Sequence, residues 1–515
     1  MKKKFILAAA ITSVAFFILA GCREDKIELS KSELADKIKG GWAGQIIGCT
    51  YGGPTEFKYR QKIIPDNVKI NWDETRPIVE NVFGGLYDDL YLDITFMDVF
   101  ERCGLNAPRI EFQRAVGEST YELWAANRAL RFAWLDSFQR GEPTSWKVNP
   151  AYNDIDFQIE ADFAGLMSPA MPNAAVEFAE TVGRSINSND GFYCGAYVAA
   201  MYSLAFVSDD MEFVASEALK VIPAESRTRK MMSDILEWHK QNPNDWKFAW
   251  RKFEDAYVKK HDDNFGGCHI HAPNNCAYIL IGLLYGGGDF EKTIDISTRC
   301  GLDSDCNPAS SGGILATAIG YSKIPYKFRK PLEMSGGKLF LGTSYSPEKV
   351  YATGFKQALE VLRVNGAEFN GDKIRVALRP ISELPLERDA PSKGEVLSKY
   401  IPVKYIPVKF SGSAVVEFEG CGAVLYPSPE FLKAFKAFSD AQKQKGFAGE
   451  IEVVLDGKKV RSAKFFTEKY RNERDFIFAE RGIENGKHKL ELKLSNAQIG
   501  FPEFSGNLRV LSNKE

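Results

Sequence analysis

The chain has 515 residues, which is more than one hydrophobic core usually supports, so we expect more than one domain. Its 66 basic and 68 acidic residues nearly balance, giving a formal net charge of −2. A chain with this balance has no basic field that would collect nucleic acid, so a nucleic-acid partner is not expected.

The N-terminal residues combine positive charge with a short apolar run. Three lysines follow the first Met, and the apolar run over 5–19 is too short and wrongly flanked for a membrane-spanning helix. Leu-Ala-Gly-Cys at 19–22 then resembles the lipobox of bacterial lipoproteins. We therefore predict a signal peptide over 1–22, lipidation of Cys22, and lipid anchoring at the bacterial cell envelope, in the outer membrane and facing the periplasm or the surface. Arg-Glu-Asp at 23–25 resembles the export signal of Bacteroidetes surface lipoproteins.

An amphipathic helix is predicted over the residues around Asp89. Apolar residues recur at positions 86, 90, 94 and 97, a spacing typical of one buried helix face. Asp89 and Asp93 share a face of this helix, and Asp88 directly precedes them. Like charges at this spacing repel each other unless something compensates them. A cation would do so, but so would an arginine or exposure to water.

Helical periodicity continues along the chain, with further helices predicted over 174–184, 194–206, 209–221 and 274–285. A polar turn over 187–193 precedes one of them, and Asp190 there is a candidate helix cap. A later loop contains His269 and His271, which either cap neighbouring helices or supply an imidazole to a site. We take His271 and the nearby Asn274 as candidate substrate contacts. A zinc site would need a third ligand at suitable spacing.

Two aspartates alternate in the loop Gly301–Pro308. In an extended segment the side chains at i and i+2 point the same way, so Asp303 and Asp305 can close on one cation. Asn307 is a good N-cap and Pro308 suits the first helical position, so we predict that a helix begins there. Two capping acids would explain this loop alone, but two acidic clusters in one chain favour a shared metal site.

The pattern changes from helical to strand-like near residue 335. Strands are predicted over 373–378, 414–418, 450–455, 462–466, 475–478 and 488–494. Asp456-Gly457 and Asn485-Gly486 predict turns, and the proline-rich stretch 385–407 predicts a linker or an extended edge. We therefore predict an all-α domain over 23–335, followed by a β-sandwich-like accessory domain over 336–515.

The order of these motifs resembles that of the ADP-ribosylglycohydrolase family, over about residues 32–330. The glycine-rich stretch Gly40–Gly48 matches the opening motif, and Glu56 matches the Glu that follows it. Asp88-Asp89 and the loop Gly301–Asp305 match the two metal-binding motifs. The resemblance implies an all-α fold that binds two Mg²⁺ or Mn²⁺ ions between helices.

The resemblance also implies roles for individual residues. The expected metal ligands, with Asp93 as a fifth candidate, are Asp88, Asp89, Asp303 and Asp305. The expected cofactor is one or two divalent cations, Mg²⁺ first, with Mn²⁺ or Ca²⁺ as alternatives. Glu56 and Asp89 are the candidate catalytic residues. Because a loop near 187–193 lines the ribose pocket in the family, Asp190 and Tyr193 are candidate substrate contacts.

The sequence departs from the family pattern at three positions. Tyr87 and Cys306 stand where the family has Thr ligands, and Gln45 stands where it has an Asp. A thiol is a soft donor that suits Mg²⁺ poorly, so Cys306 is not expected to be a ligand. The carboxylates at the centre of the site are kept while the residues around them change, which favours a hydrolase with an altered substrate.

We therefore expect a metal-dependent glycoside hydrolase that cleaves a ribosyl or related furanosyl bond at the cell envelope. Its substrate would be a small molecule or a glycan, for instance an ADP-ribosyl conjugate, a nucleoside or a glycan end, attacked by a cation-polarised water. The alternative is a non-catalytic glycan-binding surface lipoprotein that retains the hydrolase scaffold. A phosphate-ester hydrolase is a third class, which the lack of a basic phosphate-binding motif argues against.

Overall fold

The computed structural model describes residues 25–79, 86–259, 270–387 and 400–513. The predicted signal peptide with Cys22, and His269 of the histidine loop, lie outside these residues. Among the helices described, none combines the length and the apolar character needed to cross a bilayer.

Helices form the N-terminal part of the described chain. They are α1 (Lys31–Gly52), α2 (Asp88–Cys103), α3 (Arg109–Glu118), α4 (Ala125–Leu135), α5 (Asp156–Ile159), α6 (Asp162–Leu166), α7 (Pro172–Gly183), α8 (Asn189–Leu204), α9 (Met211–Ala218), α10 (Arg227–Gln241), α11 (Trp246–Phe253), α12 (Ala272–Gly286), α13 (Phe290–Arg299), α14 (Cys306–Ile319), α15 (Tyr326–Ser335) and α16 (Pro347–Val364). The helix predicted around Asp89 is α2, and the four predicted after it correspond to α7, α8, α9 and α12, so these predictions are confirmed.

Helices α1 and α14 approach more closely than ordinary side chains permit. A Cβ atom on Gly48 would lie 2.1 Å from the carbonyl oxygen of Pro308, and one on Gly52 would lie 1.7 Å from that of Ser304. Only glycine allows this approach, since both distances are far inside van der Waals contact. The glycines of α1 therefore bring its C-terminal end against the loop that carries Asp303 and Asp305.

A small sheet ties the two ends of the helical part together. Strands β1 (Lys26–Ser30), β2 (Glu368–Asn370) and β3 (Lys373–Ala377) pair antiparallel in the order β1-β3-β2. Helix α16, which also follows residue 335, packs against α1. The chain beyond the predicted boundary at 335 thus stays with the helical part through β3, because α16 and β3 cover apolar surface of α1 and β1.

The C-terminal part is a six-stranded antiparallel sheet in the order β4-β9-β5-β8-β6-β7. Its elements are β4 (Tyr400–Phe410), β5 (Ser413–Pro427), α17 (Pro429–Ala441), β6 (Phe447–Leu455), β7 (Lys458–Phe466), β8 (Phe478–Ser495) and β9 (Phe504–Asn513). Phe431 and Phe435 of α17 pack into the apolar core of the sheet. The prediction of a helical domain followed by a β-rich domain is confirmed. The described strands of the C-terminal part form one sheet. Helix α17 covers its apolar face, where a sandwich would have a second sheet.

One of the two predicted turns is confirmed and one is wrong. Asp456 and Gly457 connect β6 to β7 with φ of +50° and +80°, as a two-residue hairpin requires. Asn485 and Gly486 lie inside β8, where Gly486 pairs with Gly420 of β5. The pairing register of β5 and β8 shifts between Gly420 and Gly422. Gly486 therefore lies at a β-bulge within a strand and not in a turn between two strands.

A buried ion cluster joins the two domains. Asp136, just after α4, accepts hydrogen bonds from Arg461 Nε at 2.8 Å and Arg474 Nη1 at 3.0 Å. The backbone N–H of Lys464 donates to the same carboxylate at 2.8 Å. Both guanidinium groups and the Asp136 carboxylate are buried. The contact is therefore part of the protein interior.

Candidate active site

Two loops meet beside the C-terminal end of α1. The N–H of Phe57 donates to the carbonyl oxygen of Leu302 at 2.9 Å, and the N–H of Leu302 donates to that of Tyr59 at 3.0 Å. Leu302 adopts a positive φ of 63°, which turns the chain before Asp303. These hydrogen bonds hold the loops of Glu56 and Asp303 next to each other, although the two residues are far apart in sequence.

The first turn of α2 brings Asp88 and Asp89 to the same region. The positive end of a helix dipole favours carboxylates there. Asp89 N donates to Asp88 Oδ1 at 3.1 Å, and Leu90 N donates to Asp89 Oδ1 at 2.8 Å. Asp89 is fully buried, whereas Asp88 is half-buried and lines the cavity described below. Asp88 therefore faces the cavity, and Asp89 lies behind it.

Asp303, Asp305 and Cys306 place three donor atoms within 4.8 Å of one another, and all three side chains are buried. Within the described part of the chain, Asp303 Oδ1 and Asp305 Oδ1 have no hydrogen-bond partner. Buried charged oxygens are costly when nothing pairs with them. The group can hold a metal ion, and its oxygen atoms fit a hard divalent cation.

The two residues that replace Thr in the family pattern add no oxygen ligand to these carboxylates. Burial, and then Asp303 and Asp305, raise the pKa of the Cys306 thiol well above its usual range. Sulfur is also a soft donor, which suits a hard cation such as Mg²⁺ poorly. The Tyr87 hydroxyl lies 2.8 Å from Thr50 Oγ1 and accepts from Val79 N at 3.1 Å. The site thus depends on carboxylates.

The acidic residues form the floor of a cavity of about 760 Å³. Its walls are mostly apolar and come from both domains. The lining residues are Glu56, Phe57, Asp88, Trp124, Ala125, Asn127, Arg128, Pro150, Ala151, Asp154, Ile155, Asp156, Ile159, Ile270, Asp303, Cys306, Tyr426, Asp475 and Phe476. Volume, apolar walls and a few convergent polar groups are typical of a small-molecule site.

Crowding of carboxyl groups shifts their proton affinities. Burial, followed by the charge of Asp303, raises the pKa of Glu56 to about 7. Burial and the same neighbour raise the pKa values of Asp88 and Asp305 well above their usual range. A carboxyl with a pKa near neutrality is suited to general acid or base chemistry.

Asp93, the fifth candidate ligand, lies deeper and is held by protein groups. Its Oδ2 accepts from Gln45 Nε2 at 2.8 Å, and its Oδ1 accepts from Phe163 N at 3.4 Å. Gln45 thus serves as a donor to Asp93, whose side chain is fully buried. Among the described residues the cavity lining does not include Asp93, which places it behind the site.

The four predicted substrate contacts do not line the cavity among the residues described. Asp190 accepts from Thr228 Oγ1 at 2.6 Å, and Tyr193 OH donates to Pro385 O at 3.3 Å. Helix α8 therefore directs both side chains to neighbouring elements. His271 forms a β-bridge with Asp154, and the N–H of Asn274 donates to the carbonyl oxygen of His271 at 3.2 Å. The residue of this segment that lines the cavity is Ile270.

Asp156 is a site residue that was not predicted from the sequence. It lines the cavity, and its carboxylate accepts from Ala126 N at 3.1 Å and Asn127 N at 3.0 Å. Burial raises its pKa to about 7. The signal was present, since Asp154 and Asp156 alternate in the same way as Asp303 and Asp305.

The raised pKa values predict how stability depends on pH without metal. A carboxyl whose folded-state pKa exceeds its unfolded value near 4 binds more protons when folded, so stability is lost as pH rises. With Glu56 and Asp156 at about 7, this loss falls between about pH 4 and pH 7. In EDTA the melting temperature should therefore fall over this range, and excess Mg²⁺ should offset the fall. A melting temperature in EDTA that rises steadily to pH 7 would contradict the shifts.

Comparison with known proteins gives one family and a distant structural likeness. Residues 30–352 match the model of the ADP-ribosylglycohydrolase family, which confirms the resemblance found in the sequence. A solved structure described as an "ADP-ribosylglycohydrolase-related protein complex" is 14% identical, covers 64% of this chain and 99% of its own, and has a TM-score of 0.41. None of the curated proteins matches the chain.

Proposed function

Because this chain belongs to the ADP-ribosylglycohydrolase family, we propose that it is a divalent-cation-dependent hydrolase that cleaves a ribosyl or related furanosyl bond. Family membership supports hydrolysis of a glycosyl bond in general. The observation that carries the finer proposal is the pair Asp303 and Asp305. Asp303 lines the cavity, and donor atoms of the two side chains lie within 4.8 Å of each other. Each carboxylate also has a buried oxygen without a hydrogen-bond partner among the described residues.

Asp88, Asp303 and Asp305 are the residues that would hold the cation, with Asp89 directly behind them. A bound Mg²⁺, or Mn²⁺ or Ca²⁺ in its place, would supply Lewis acidity toward sugar hydroxyls and lower the pKa of a water. The loop contacts between Phe57 and Leu302 keep Glu56 next to these carboxylates.

Glu56 is the residue best placed to move a proton. At neutral pH a carboxyl with a pKa of about 7 is present in both forms, so it can protonate a leaving oxygen or accept a proton from water. Glycosidic cleavage builds positive charge on the sugar ring, and the ionised carboxylates of the floor stabilise that charge. The apolar walls limit the access of bulk water to it.

A screen of released sugar tests this proposal. Nucleosides, ADP-ribosyl conjugates and furanosides would be incubated with the protein in Mg²⁺, and free sugar measured. Glu56→Gln should lose sugar release while keeping the increase in melting temperature that Mg²⁺ produces, since it is no proposed ligand. Full activity of Glu56→Gln would show that Glu56 does not take part in the reaction. If the unmodified protein released no sugar from any substrate, the proposed activity would be contradicted.

We further propose that the protein acts at the cell envelope, anchored by lipid on Cys22, on a glycan or small-molecule substrate. Cys22→Ser should convert a protein that fractionates with bacterial membranes into one found in the soluble fraction, because a lipid chain supplies the membrane affinity. Fractionation of both forms with immunodetection measures this. Detergent-free extraction of the unmodified protein in soluble form would contradict the anchor.

A non-catalytic glycan-binding protein on the same scaffold is the second candidate. The observation in its favour is that Tyr87 and Cys306, at the positions of two family ligands, add no ligand to the carboxylates. Binding of a furanosyl glycan without sugar release in the same screen would support this candidate over the hydrolase.

A further inference from the structure

The C-terminal domain contributes part of the wall of the candidate active site. Tyr426 lies near the end of β5, and Asp475 and Phe476 lie in the segment just before β8. Phe476 and Val424 pack with Ala129 of α4 in one apolar cluster. The β-rich domain is therefore positioned to select what enters the cavity.

Acidic side chains outnumber basic ones among the lining residues. One basic side chain, Arg128, lines the cavity among the described residues. The acidic lining residues are six in number: Glu56, Asp88, Asp154, Asp156, Asp303 and Asp475.

The charge of Arg128 is already compensated by protein carboxylates. Its Nη1 lies 2.7 Å from Asp475 Oδ1 and its Nη2 lies 3.3 Å from Glu122 Oε1. Its Nε donates to the carbonyl oxygen of Leu123 at 2.9 Å. Recognition of a phosphate normally uses a guanidinium free to form paired, charge-assisted bonds. Two carboxylates compete for Arg128, so a pyrophosphate finds no uncompensated cation among the described lining residues.

Aromatic surface lines the cavity beside Arg128. The Trp124 side chain is 45% exposed although it lines the cavity, and the Arg128 guanidinium lies 5.3 Å from its ring centroid. Phe476 and Tyr426 add further ring surface from the other domain. Asp475, with 45% of its side chain exposed, presents an acceptor beside the donors of Arg128. Flat apolar surface next to a donor–acceptor pair suits a sugar ring, which has apolar faces and hydroxyl edges.

We propose that the two domains together form a subsite for an uncharged sugar ring joined to the furanosyl group, so the preferred substrate is a neutral furanosyl glycan end and not a pyrophosphate conjugate. Trp124 supplies the stacking surface. Arg128 and Asp475 bind hydroxyl groups at the ring edge. This inference rests on the proposed glycosidase function and specifies its substrate class.

The test compares two substrates with the same furanosyl group: a neutral furanosyl disaccharide and an ADP-ribosyl conjugate. The unmodified protein should show the higher kcat/KM on the disaccharide. Trp124→Ala should raise KM for the disaccharide about three- to tenfold, the usual worth of one aromatic contact, with a smaller change in kcat. Phe447→Ala, which removes a partly exposed aromatic ring of the C-terminal domain outside the cavity lining, is the matched control and should leave both constants unchanged.

Asp475→Asn tests the charge argument in the opposite direction. It removes one of the two carboxylates that compensate Arg128, so KM for the ADP-ribosyl conjugate should fall about two- to fivefold. The Mg²⁺-induced increase in melting temperature should persist in every variant, since none alters a proposed ligand. That readout shows that the acidic floor is still intact.

Failure of the subsite and failure of the glycosidase proposal give different results. A higher kcat/KM on the ADP-ribosyl conjugate, or a Trp124→Ala enzyme with unchanged KM for the disaccharide, would overturn the subsite while the glycosidase function stands. Absence of cleavage of both substrates by the unmodified protein would overturn the function on which the subsite rests.

Discussion

Asp305→Asn should eliminate both sugar release and the rise in melting temperature that Mg²⁺ gives the unmodified protein. Asp305 Oδ1 is buried with no partner among the described residues, next to Asp303 and Cys306, so the substitution removes one of the carboxylates proposed to hold the cation. A cation at about 100 times its dissociation constant adds about 2.7 kcal/mol to the folded state, and the variant should lose this increment. Thermal unfolding with and without Mg²⁺, beside the sugar-release assay, measures both effects.

The metal-free Asp305→Asn protein should be as stable as the metal-free parent or more stable. Burial and the charges of Asp303 and Glu56 raise the pKa of Asp305, which means that its ionised form is unfavourable there. Asp66→Asn, at an exposed residue paired with Lys247, is the control and should keep the full Mg²⁺ increment. An Asp305→Asn protein that retains the increment would show that the cation binds elsewhere.

Asp136→Ala should produce the second large effect, a loss of about 3–5 kcal/mol in the free energy of unfolding. The substitution leaves the guanidinium groups of Arg461 and Arg474 buried, with side-chain exposures of 4% and 2%, without their shared carboxylate. Urea denaturation measures the loss. Limited proteolysis should also show faster cleavage, since this cluster is one of the contacts between the domains.

Asp98→Ala provides the comparison for Asp136→Ala. Asp98 pairs with Arg102 at 2.8 Å, but both side chains are largely exposed, and such a pair contributes about 1 kcal/mol or less. If the two variants lost similar amounts of stability, the domain contact would be a surface feature and not part of the folded body.

The parts of the site that lie close together in sequence were predictable. The periodicity around Asp89 predicted α2, and the alternating Asp303 and Asp305 predicted a pair of neighbouring carboxylates. The start of α14 differs from the prediction, since the helix begins at Cys306 and Asn307 donates to Asn275 Oδ1 at 3.0 Å instead of capping it. A residue type shows that a helix starts nearby, but tertiary partners decide which side chain caps it.

The parts of the cavity that come from distant segments were not predictable in the same way. Local turn signals near Asp190 and Tyr193 predicted the start of α8, but they do not determine where the side chains point. Phe476 was expected within a strand of an accessory domain, and its place in the cavity wall follows from a contact with α4 that no local pattern encodes. The β-rich domain was predicted to be a separate accessory domain, because burial between two domains leaves no periodic pattern in the sequence.

The measurement that tests the central claim most directly is sugar release from a furanosyl substrate before and after removal of divalent cations. We expect release in Mg²⁺, loss of release after EDTA treatment, and recovery on adding excess Mg²⁺, because the carboxylates of Asp88, Asp303 and Asp305 need a cation to form a working site. Release that continues unchanged in EDTA would contradict a cation-dependent hydrolase at this cavity.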